Sequence, residues 1–221
     1  MRRATQREAG RPDAASGAPP PPEAASAAVP QAAVFLGLGS NVGDRLGALQ
    51  TALDALAGAG VAVEAVSAVY ETEAHVLPGA APQTDHLNAA ARVRTALAPE
   101  ALLGVLRRAE RAAGRDHAAP PWSPRPLDVD VLLWGTREIR TPRLTVPHPR
   151  LPARRFALRP LADLAPEAPV PGTGRTAGDL LAATADRARV RPYAGALRLP
   201  GACQPTDAPP PTAPPEAAGG S

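Results

Sequence analysis

The order of the apolar patterns along the chain limits its possible folds more than any other sequence feature. Apolar runs or alternations typical of strands cover residues 32–38, 61–72, 86–96 and 127–135. Helical patterns separate the first strand from the second and the third from the fourth, whereas only a loop separates the two middle strands. The order β-α-β-β-α-β predicts an α+β fold, a ferredoxin-like sandwich with an antiparallel sheet. We expect the helices on one face of this sheet, which leaves the other face and the long loops for ligands.

Residues at helical spacing and helix-ending glycines mark the two helices of this order. Leucines recur at helical spacing from Leu46 to Leu56, and glycines at 58 and 60 end that segment. Pro99 begins the second helix, and Gly114 ends it. The sequence also predicts a small hairpin over 136–151 and a last helix over 153–166.

Both ends of the chain have a composition that is typical of disordered tails. Of the 221 residues 29 are Pro, and residues 1–31 and 200–221 consist largely of Ala, Pro, Gly and Ser without a large apolar run. Such segments bury too little apolar surface to offset the entropy lost on ordering. We therefore predict one domain over 32–199 between two disordered tails.

Charge and cysteine content exclude several classes of protein. The formal net charge is only +3 although all 24 basic residues are Arg, so bulk electrostatics do not require a nucleic-acid partner. The single Cys203 rules out a disulfide within the chain. No apolar stretch is long enough to span a membrane, and no secretory signal is evident. We expect a cytoplasmic monomer without membrane or nucleic-acid partners.

The sharpest local signal is a pair of aspartates on the fourth strand. Asp128 and Asp130 alternate with Leu127, Val129 and Val131, so both carboxylates point to one face of the strand. Neighbouring carboxylates repel each other unless positive charge lies between them, and Mg²⁺ prefers such oxygen ligands. A solvated strand face is the alternative interpretation. The Pro-rich loop before the strand, which carries Trp122 and Arg125, favours a metal and phosphate site.

A second group of polar residues is basic and follows the fourth strand. Arg143 and Thr145 alternate on a short extended segment, His148 follows Pro147, and Arg154 begins the helix predicted over 153–166. Arginines donate pairs of hydrogen bonds to phosphate and offset its charge during transfer. Solvated surface arginines are the alternative here, and for Arg150 in the same segment we favour that alternative.

A glycine-rich turn lies between the first strand and the first helix. Residues 37–45 read GLGSNVGDR, and the spacing of the glycines differs by one residue from a dinucleotide-binding fingerprint. The segment also lacks the GK[ST] sequence of a Walker A loop. Neither of these nucleotide-binding motifs is therefore indicated.

Several motifs occur together in a fixed order and spacing. They are Gly39-Ser40-Asn41, Ser67 to Thr72 (SAVYET), His86 to Ala90 (HLNAA), Glu110 to Arg115 (ERAAGR), Trp122 to Asp130 (WSPRPLDVD), Arg143 to Pro149 (RLTVPHP) and Arg154 to Leu161 (RRFALRPL). In this order they resemble the hydroxymethyldihydropterin pyrophosphokinase family, over about Val34 to Glu167. The resemblance implies transfer of pyrophosphate from ATP to 6-hydroxymethyl-7,8-dihydropterin in folate synthesis, with AMP as the second product.

The resemblance also implies the roles of individual residues. It makes Asp128 and Asp130 the ligands of two Mg²⁺ ions and places Arg115 and Arg125 in a catalytic loop over the triphosphate. It assigns to the ATP site the residues Glu110, Arg115, Trp122, Arg125, Arg143, Thr145, His148 and Arg154. It assigns to the pterin site the residues Gly39, Asn41, Thr72, His86, Asn88, Trp122 and Phe156.

One residue departs from the family pattern. The family usually has Tyr or Phe at position 86, where this chain has His86. Histidine is a smaller stacking surface and titrates near neutral pH. We expect the pterin affinity to be lower, or to depend on pH.

Two other classes of protein fit the sequence less well. An RNA-binding ferredoxin-like module needs stacking aromatic side chains on its central strands, and the strands at 34–38 and 86–94 carry no aromatic pair. A nucleotide-binding oxidoreductase needs alternating parallel strands and helices, which the consecutive strands at 61–72 and 86–96 contradict.

Overall fold

Alternating apolar segments of this chain form an antiparallel sheet, and the remaining apolar segments form helices that pack on it. A computed structural model describes residues 32–74, 83–120 and 123–201. The tails predicted at the two ends lie outside these ranges, apart from Pro200 and Gly201. The elements in chain order are β1 (Val34–Ser40), α1 (Arg45–Gly58), β2 (Ala62–Val66), β3 (Tyr70–Thr72), β4 (His86–Arg94), α2 (Pro99–Ala112), β5 (Asp128–Trp134), β6 (Ile139–Arg140), β7 (Thr145–Val146), a 3-10 turn (Leu151–Ala153), α3 (Arg155–Leu164), β8 (Pro169–Val170), β9 (Arg175–Thr176), α4 (Ala177–Ala183) and β10 (Val190–Pro192).

The main sheet has the strand order β10-β3-β4-β1-β5, and β2 pairs with β4 beside β3. Every pairing in this sheet is antiparallel. The predicted class, an antiparallel sheet with helices packed on it, is confirmed. The finer ferredoxin-like assignment remains a prediction, since β10 extends the sheet beyond the four strands on which that assignment was based.

The strand predicted as one segment over 61–72 is two strands in the structure. The Ser67 N–H donates to the Ala90 carbonyl oxygen at 2.9 Å, while the Ser67 hydroxyl oxygen accepts from the Ala90 N–H at 2.9 Å. A side-chain oxygen thus takes the place of the main-chain carbonyl that would continue the ladder. The strand is therefore interrupted between β2 and β3.

Helices α1 and α2 cover one face of the sheet. Their buried leucines, among them Leu53 and Leu106, join Leu36, Leu38 and Leu87 of the strands in one apolar cluster. Both helices lie where the sequence predicts them. The Asp44 carboxylate caps α1 by accepting from the Gly47 N–H at 2.9 Å.

Helices α3 and α4 lie on the opposite face, where no helix was expected. Phe35 and Leu133 of the strands pack there against Leu158, Leu161 and Leu180 in a second apolar cluster. The helix predicted over 153–166 is α3, but it is not the last helix. The hairpin β8–β9, helix α4 and strand β10 follow it, and the sequence interpretation missed all three because they are very short. Within the described ranges, no helix is long and apolar enough to cross a membrane.

Candidate active site

A cavity of about 980 Å³ opens on the sheet face that carries α3 and α4. Its floor is the sheet between β3 and β5, and its walls come from the loop before β5, the start of α3 and the segment after α4. Most of the residues that the sequence predicts for the site line this cavity. They are Gly39, Thr72, His86, Asn88, Arg115, Arg125, Asp128, Asp130, His148, Arg154 and Phe156.

Strand register explains how residues distant in sequence meet on the cavity floor. Gly39 of β1 lies opposite Asn88 of β4 on one side and opposite Asp128 of β5 on the other. Directly opposed residues of antiparallel strands point to the same face of a sheet. The predicted shared face of Asp128 and Asp130 is also observed, since both residues line the cavity. A glycine thus separates the carboxylate of Asp128 from the amide of Asn88.

Gly39 leaves the middle of this row without a side chain. A Cβ atom at position 39 would lie 3.2 Å from the Asn88 Oδ1 atom and 3.9 Å from the Asp128 Cβ atom. The first distance is shorter than ordinary van der Waals contact, so any larger residue would push the Asn88 amide aside. Gly39 therefore leaves open space on the cavity floor between the Asn88 and Asp128 side chains.

At the β5 end of the cavity, two arginines hold one carboxylate. The Arg125 Nη1 atom donates to the Asp128 Oδ2 atom at 3.0 Å, and Arg115 donates to Oδ1 of the same carboxylate. Arg115 also donates to Glu110 of α2, and these carboxylates raise its pKa against the lowering effect of burial. Arg115 therefore connects α2 to the cavity floor.

Glu110 lies behind this ion pair and is almost fully buried. Its Oε1 atom accepts from the Val129 N–H at 2.9 Å, and its Oε2 atom lies 3.4 Å from the His117 Nε2 atom. Burial raises the pKa of Glu110 to about 7, despite the Val129 hydrogen bond and the Arg115 charge, which lower it. The Glu110 carboxyl group therefore holds the Arg115 guanidinium and the Val129 main chain of β5 in place.

Asp130 is the second carboxylate of the floor and lies near His148 and Arg154. Burial, and then the Asp128 charge, raise the pKa of Asp130 to about 6. The His148 Nε2 atom is 3.7 Å from the Asp130 Oδ2 atom. Burial, followed by the charges of Arg154 and Arg150, lowers the pKa of His148 to about 4, so this imidazole is neutral at pH 7.

At the β3 end of the cavity the polar groups are mostly uncharged. The Asn88 Nδ2 atom donates to the Thr72 Oγ1 atom at 2.7 Å, and both side chains are buried. Burial, and then the Arg125 charge, lower the pKa of His86, which is therefore neutral at pH 7. This end offers hydrogen-bonding groups and a neutral ring.

An aromatic ring stands in the opposite wall. Phe156 lies in the first turn of α3 and lines the cavity, and the Arg154 guanidinium carbon lies 5.3 Å from its ring centroid. This distance is within the range of a cation–π contact. The start of α3 therefore presents one aromatic face and one positive charge to the same cavity.

Both the sequence and the fold of this chain are similar to those of known proteins. A sequence model of the family described as 7,8-dihydro-6-hydroxymethylpterin-pyrophosphokinase (HPPK) matches residues 35–166. The chain belongs to this family. Proteins named 2-amino-4-hydroxy-6-hydroxymethyldihydropteridine pyrophosphokinase are 38% identical over 171 residues in Synechocystis sp., covering 77% of this chain and 85% of the relative, and 41% identical over 170 residues in Pseudomonas aeruginosa, covering 76% and 98%.

Solved structures of HPPK-DHPS proteins share the fold. The chain of a Plasmodium falciparum HPPK-DHPS triple mutant aligns with a TM-score of 0.53 at 16% identity, over 71% of this chain and 45% of that one. An HPPK-DHPS structure in complex with substrates aligns with a TM-score of 0.52 at 14% identity, over 69% and 43%. This chain thus spans less than half the length of these solved chains.

Four described residues that the family resemblance implicates, namely Asn41, Glu110, Arg143 and Thr145, do not line the main cavity. Asn41 is buried beside it, where its N–H donates to the Arg125 carbonyl oxygen at 3.2 Å and its Oδ1 atom accepts from the Arg125 N–H at 2.8 Å. Glu110 lies behind Arg115, and Thr145 lies exposed in the β6–β7 hairpin. Trp122 lies outside the described residues.

Arg143 lies at a second, smaller cavity instead. This cavity of about 230 Å³ is lined mainly by α2, including Arg107 and Arg111. Burial, and then the charges of Arg115, Arg111 and Arg107, lower the pKa of His117 in the loop after α2. The basic residues predicted for the ATP site are therefore divided between two cavities.

Sequence reasoning missed one wall of the main cavity. Residues 183–188 line it through Ala183, Thr184, Ala185, Asp186 and Ala188. Gln83 and Arg150 also line it. The missed segment lies outside the matched family range and has neither apolar periodicity nor a motif. The only available signal is the Thr-Ala-Asp sequence after a short apolar stretch, which suggests a turn.

The two aspartates of the floor are suitable ligands for Mg²⁺. Carboxylate oxygens are hard ligands, and the cavity above them leaves room for phosphate oxygens and water to complete the coordination. Among the described residues, no group of three or more His, Cys, Asp and Glu side chains is arranged to hold a metal ion. Asp128 and Asp130 therefore provide two carboxylates for such a cation, and phosphate or water oxygens would complete its coordination.

Proposed function

We propose that this chain transfers a pyrophosphoryl group from ATP to 6-hydroxymethyl-7,8-dihydropterin and releases AMP, a step of tetrahydrofolate biosynthesis. Membership of the pyrophosphokinase family and the names of its relatives support this reaction. The observation that carries it is the row Asp128, Gly39 and Asn88. Two strand spacings, about 10 Å, separate a charged end from a neutral end of one cavity. The two substrates can therefore meet over Gly39.

The neutral end suits the pterin. Thr72 and Asn88 provide a hydroxyl and an amide for its polar edge, and His86 and Phe156 line the cavity as rings that can stack on it. Gly39 supplies a floor without a side chain. Asn41 acts through the Arg125 main chain and holds the loop that borders the pocket. Closure of the pocket by Trp122 remains a prediction.

The charged end suits the triphosphate. Arg115, Arg125 and Arg154 line the cavity beside the aspartates and offset phosphate charge, which dominates catalysis of phosphoryl transfer. His148 is a neutral donor or acceptor at this end. Glu110 holds Arg115 from behind. Arg143 and Thr145 remain predicted ATP contacts, although Arg143 lies at the second cavity.

The side chains mainly position the reacting atoms. The pterin hydroxyl oxygen forms a bond to the β-phosphorus, the bond from that phosphorus to the α–β bridging oxygen breaks, AMP leaves with this oxygen, and the hydroxyl proton is released. Arg115 and Arg125 hold the phosphate oxygens in place, which removes much of the entropic barrier. Asp128 and Asp130 would hold two Mg²⁺ ions. When bound, these ions would neutralise phosphate charge and polarise the attacking hydroxyl.

Release of AMP tests the proposal directly. We expect AMP to form from ATP and Mg²⁺ only when the pterin is present, and Asp128→Ala and Asp130→Ala each to reduce its rate by roughly 1,000-fold. Asp54→Ala is the matched control, because Asp54 is an exposed carboxylate on α1 outside the cavity. A folded wild-type protein that releases no AMP would contradict the proposed reaction. Full activity of both aspartate variants would contradict the metal site.

The assembly state and the cellular site remain predictions. We expect a monomer that acts on small molecules, without a nucleic-acid partner, in the cytoplasm. Light scattering of the purified protein checks the first expectation.

A further inference from the structure

The wall that the sequence interpretation missed carries one acidic side chain. Residues 184–189 connect α4 to β10, and Asp186 is the only acidic residue among them. Asp186 lies on the side of the cavity formed by α3, well away from the floor aspartates in sequence. Its contacts show what this carboxylate does.

Asp186 caps α3 across 31 residues of sequence. Its Oδ2 atom accepts from the Arg155 N–H at 2.8 Å, and Arg155 is the first residue of the helix. The side chain of Arg154, at the N-cap position, makes no capping hydrogen bond. The first N–H groups of a helix lack partners within the helix, and a negative charge there also interacts favourably with the helix dipole. The first turn of α3 therefore depends on a carboxylate from another segment.

The capped N–H lies between two residues that line the cavity. Arg154 precedes Arg155 and Phe156 follows it, and the guanidinium and the ring contact each other. Because both side chains project from the same turn, a displacement of this turn moves both. The Asp186 carboxylate therefore controls the position of a positive charge and of an aromatic ring at once.

Asp186 is itself held by α4. Its Oδ1 atom accepts from the Ala188 N–H at 2.8 Å, and its own N–H donates to the Thr184 Oγ1 atom at 3.3 Å. The Thr184 N–H in turn donates to the Leu180 carbonyl oxygen at 2.9 Å. Leu180 belongs to the apolar cluster that α4 shares with α3. The cap therefore extends from a packed helix and not from a free loop.

We propose that Asp186 is a positioning residue that fixes the first turn of α3, so that Arg154 faces the triphosphate and Phe156 faces the pterin. This inference rests on the proposed function, because that function assigns the two substrates to these side chains. Asp186 acts through the Arg155 N–H and takes no part in bond breaking.

The kinetic test compares two substitutions of Asp186 with a matched cap elsewhere. In Asp186→Ala we expect the KM values for ATP and for the pterin each to rise about tenfold, with a smaller change in kcat. Asp186→Asn keeps one oxygen that can accept from the Arg155 N–H but loses the acceptor for the Ala188 N–H, so its KM values should lie between those of wild type and of Asp186→Ala. Asp44→Ala is the control, because the Asp44 carboxylate caps α1, a helix that does not hold Asp186, and lies outside the cavity lining. Its KM values should not change.

A second pair of variants removes the donor instead of the acceptor. Arg155→Pro deletes the N–H at the first helical position, where proline is tolerated, and Arg155→Ala keeps it. We expect Arg155→Pro to raise both KM values as Asp186→Ala does, Arg155→Ala to leave them unchanged, and the double variant Asp186→Ala/Arg155→Pro to show no further rise. Arg155→Pro also tests the inference if Asp186→Ala does not fold.

Three outcomes would overturn the inference. Wild-type KM values in folded Asp186→Ala or Arg155→Pro would show that the cap does not position the turn. An equal rise in Asp44→Ala would show a general effect of a lost helix cap. Additive effects in the double variant would show that Asp186 acts elsewhere. Calorimetric binding of the pterin and of a non-hydrolysable ATP analogue to the same variants tests the positioning even if the wild type releases no AMP, an outcome that contradicts only the proposed function.

Discussion

The two ends of the cavity hold their side chains in place by different means. At the β5 end ion pairs dominate, since Arg115 and Arg125 both hold the Asp128 carboxylate. Burial there raises the pKa of Glu110 to about 7 and that of Asp130 to about 6. At the β3 end, one hydrogen bond between neutral groups joins Asn88 to Thr72. Both ends share the same sheet, and only Gly39 lies between the opposed residues Asp128 and Asn88.

This difference separates the two tasks of the proposed reaction. Charged groups that neutralise one another are costly to disturb, because a carboxylate left without its partner in a buried position loses hydration without compensation. Neutral hydrogen bonds cost less to lose. We therefore expect substitutions at the charged end to lower both the free energy of unfolding and kcat, and substitutions at the neutral end to change mainly the pterin affinity.

The largest effect of a substitution in this comparison is expected for Arg115→Ala. The substitution removes the arginine partner of Glu110, which is almost fully buried, and one of the two arginine partners of Asp128. We expect kcat to fall by about 100-fold or more. The free energy of unfolding should fall by about 2 kcal/mol, less than for a fully buried charge, because Glu110 can take up a proton near neutral pH. AMP release and urea unfolding measure the two effects.

Arg125→Ala is the matched control for the effect on stability. Among the described residues, Arg125 forms its ion pair with Asp128 alone, and both side chains are more than a fifth exposed. We expect a similar loss of kcat, but a change of only about 1 kcal/mol or less in the free energy of unfolding. Equal losses of stability in the two variants would contradict the special role of the Glu110–Arg115 pair.

A smaller effect, on binding alone, is expected at the neutral end. Asn88→Ala removes the amide that donates to Thr72 and leaves no replacement. We expect the Kd for the pterin to rise about tenfold, which corresponds to the loss of one buried hydrogen bond. The KM for ATP and kcat should change little. Fluorescence titration of the pterin and steady-state kinetics measure these quantities.

Thr72→Ser controls for the geometry of this end, because serine keeps the hydroxyl that accepts from Asn88. Its pterin affinity should stay within about threefold of wild type. A large loss of ATP affinity in Asn88→Ala would show that the two ends are not independent.

Much of the floor of this cavity is predictable from the sequence, for a simple reason. Side chains alternate along a strand, so the pattern around Asp128 and Asp130 already places both carboxylates on one face. Likewise, the motif at Asn88 lies on a strand whose apolar residues alternate with polar ones. What the pattern does not contain is the register, and it is the register that places Gly39 between Asn88 and Asp128.

Contacts between distant segments were not predictable. The link from Glu110 through Arg115 to Asp128 requires the end of α2 to lie against β5, which no local pattern states. The interruption at Ser67 depends on a side-chain hydrogen bond to Ala90 of the neighbouring strand. In each case the hydrogen-bond partner of a polar side chain is determined by the tertiary fold and not by the local sequence.

The region after α3 was the least predictable part of the fold. Strands β8 and β9 have two residues each and β10 has three, too few for a period of two to be recognised. Helix α4 has seven residues. Nevertheless this region supplies the cavity wall with Asp186, so the absence of a sequence pattern did not mean the absence of a structural role.

The smallest effect concerns the pH dependence of pterin binding through His86. Burial and the Arg125 charge lower the pKa of His86. Smaller effects come from Asp128 and Asp85, which raise this pKa, and from Arg45, which lowers it. The imidazole is therefore neutral at pH 7, and a bound pterin would bury it further. Since protonation then competes with binding, the affinity should be constant from pH 7 to 8 and should fall below the ordinary histidine value of about 6.5, by at most tenfold per pH unit.

His86→Phe isolates this effect, because the Glu110 and Asp130 carboxyl groups titrate over the same range and remain in the variant. Fluorescence titrations of the pterin between pH 5 and 8 should show a steeper loss of affinity at low pH in the wild type than in His86→Phe. The phenylalanine variant should also bind the pterin at least as tightly at pH 7, because its ring is a larger stacking surface. Parallel pH curves for the two proteins would show that His86 stays neutral throughout, and the pH dependence would then belong to the charged end of the cavity.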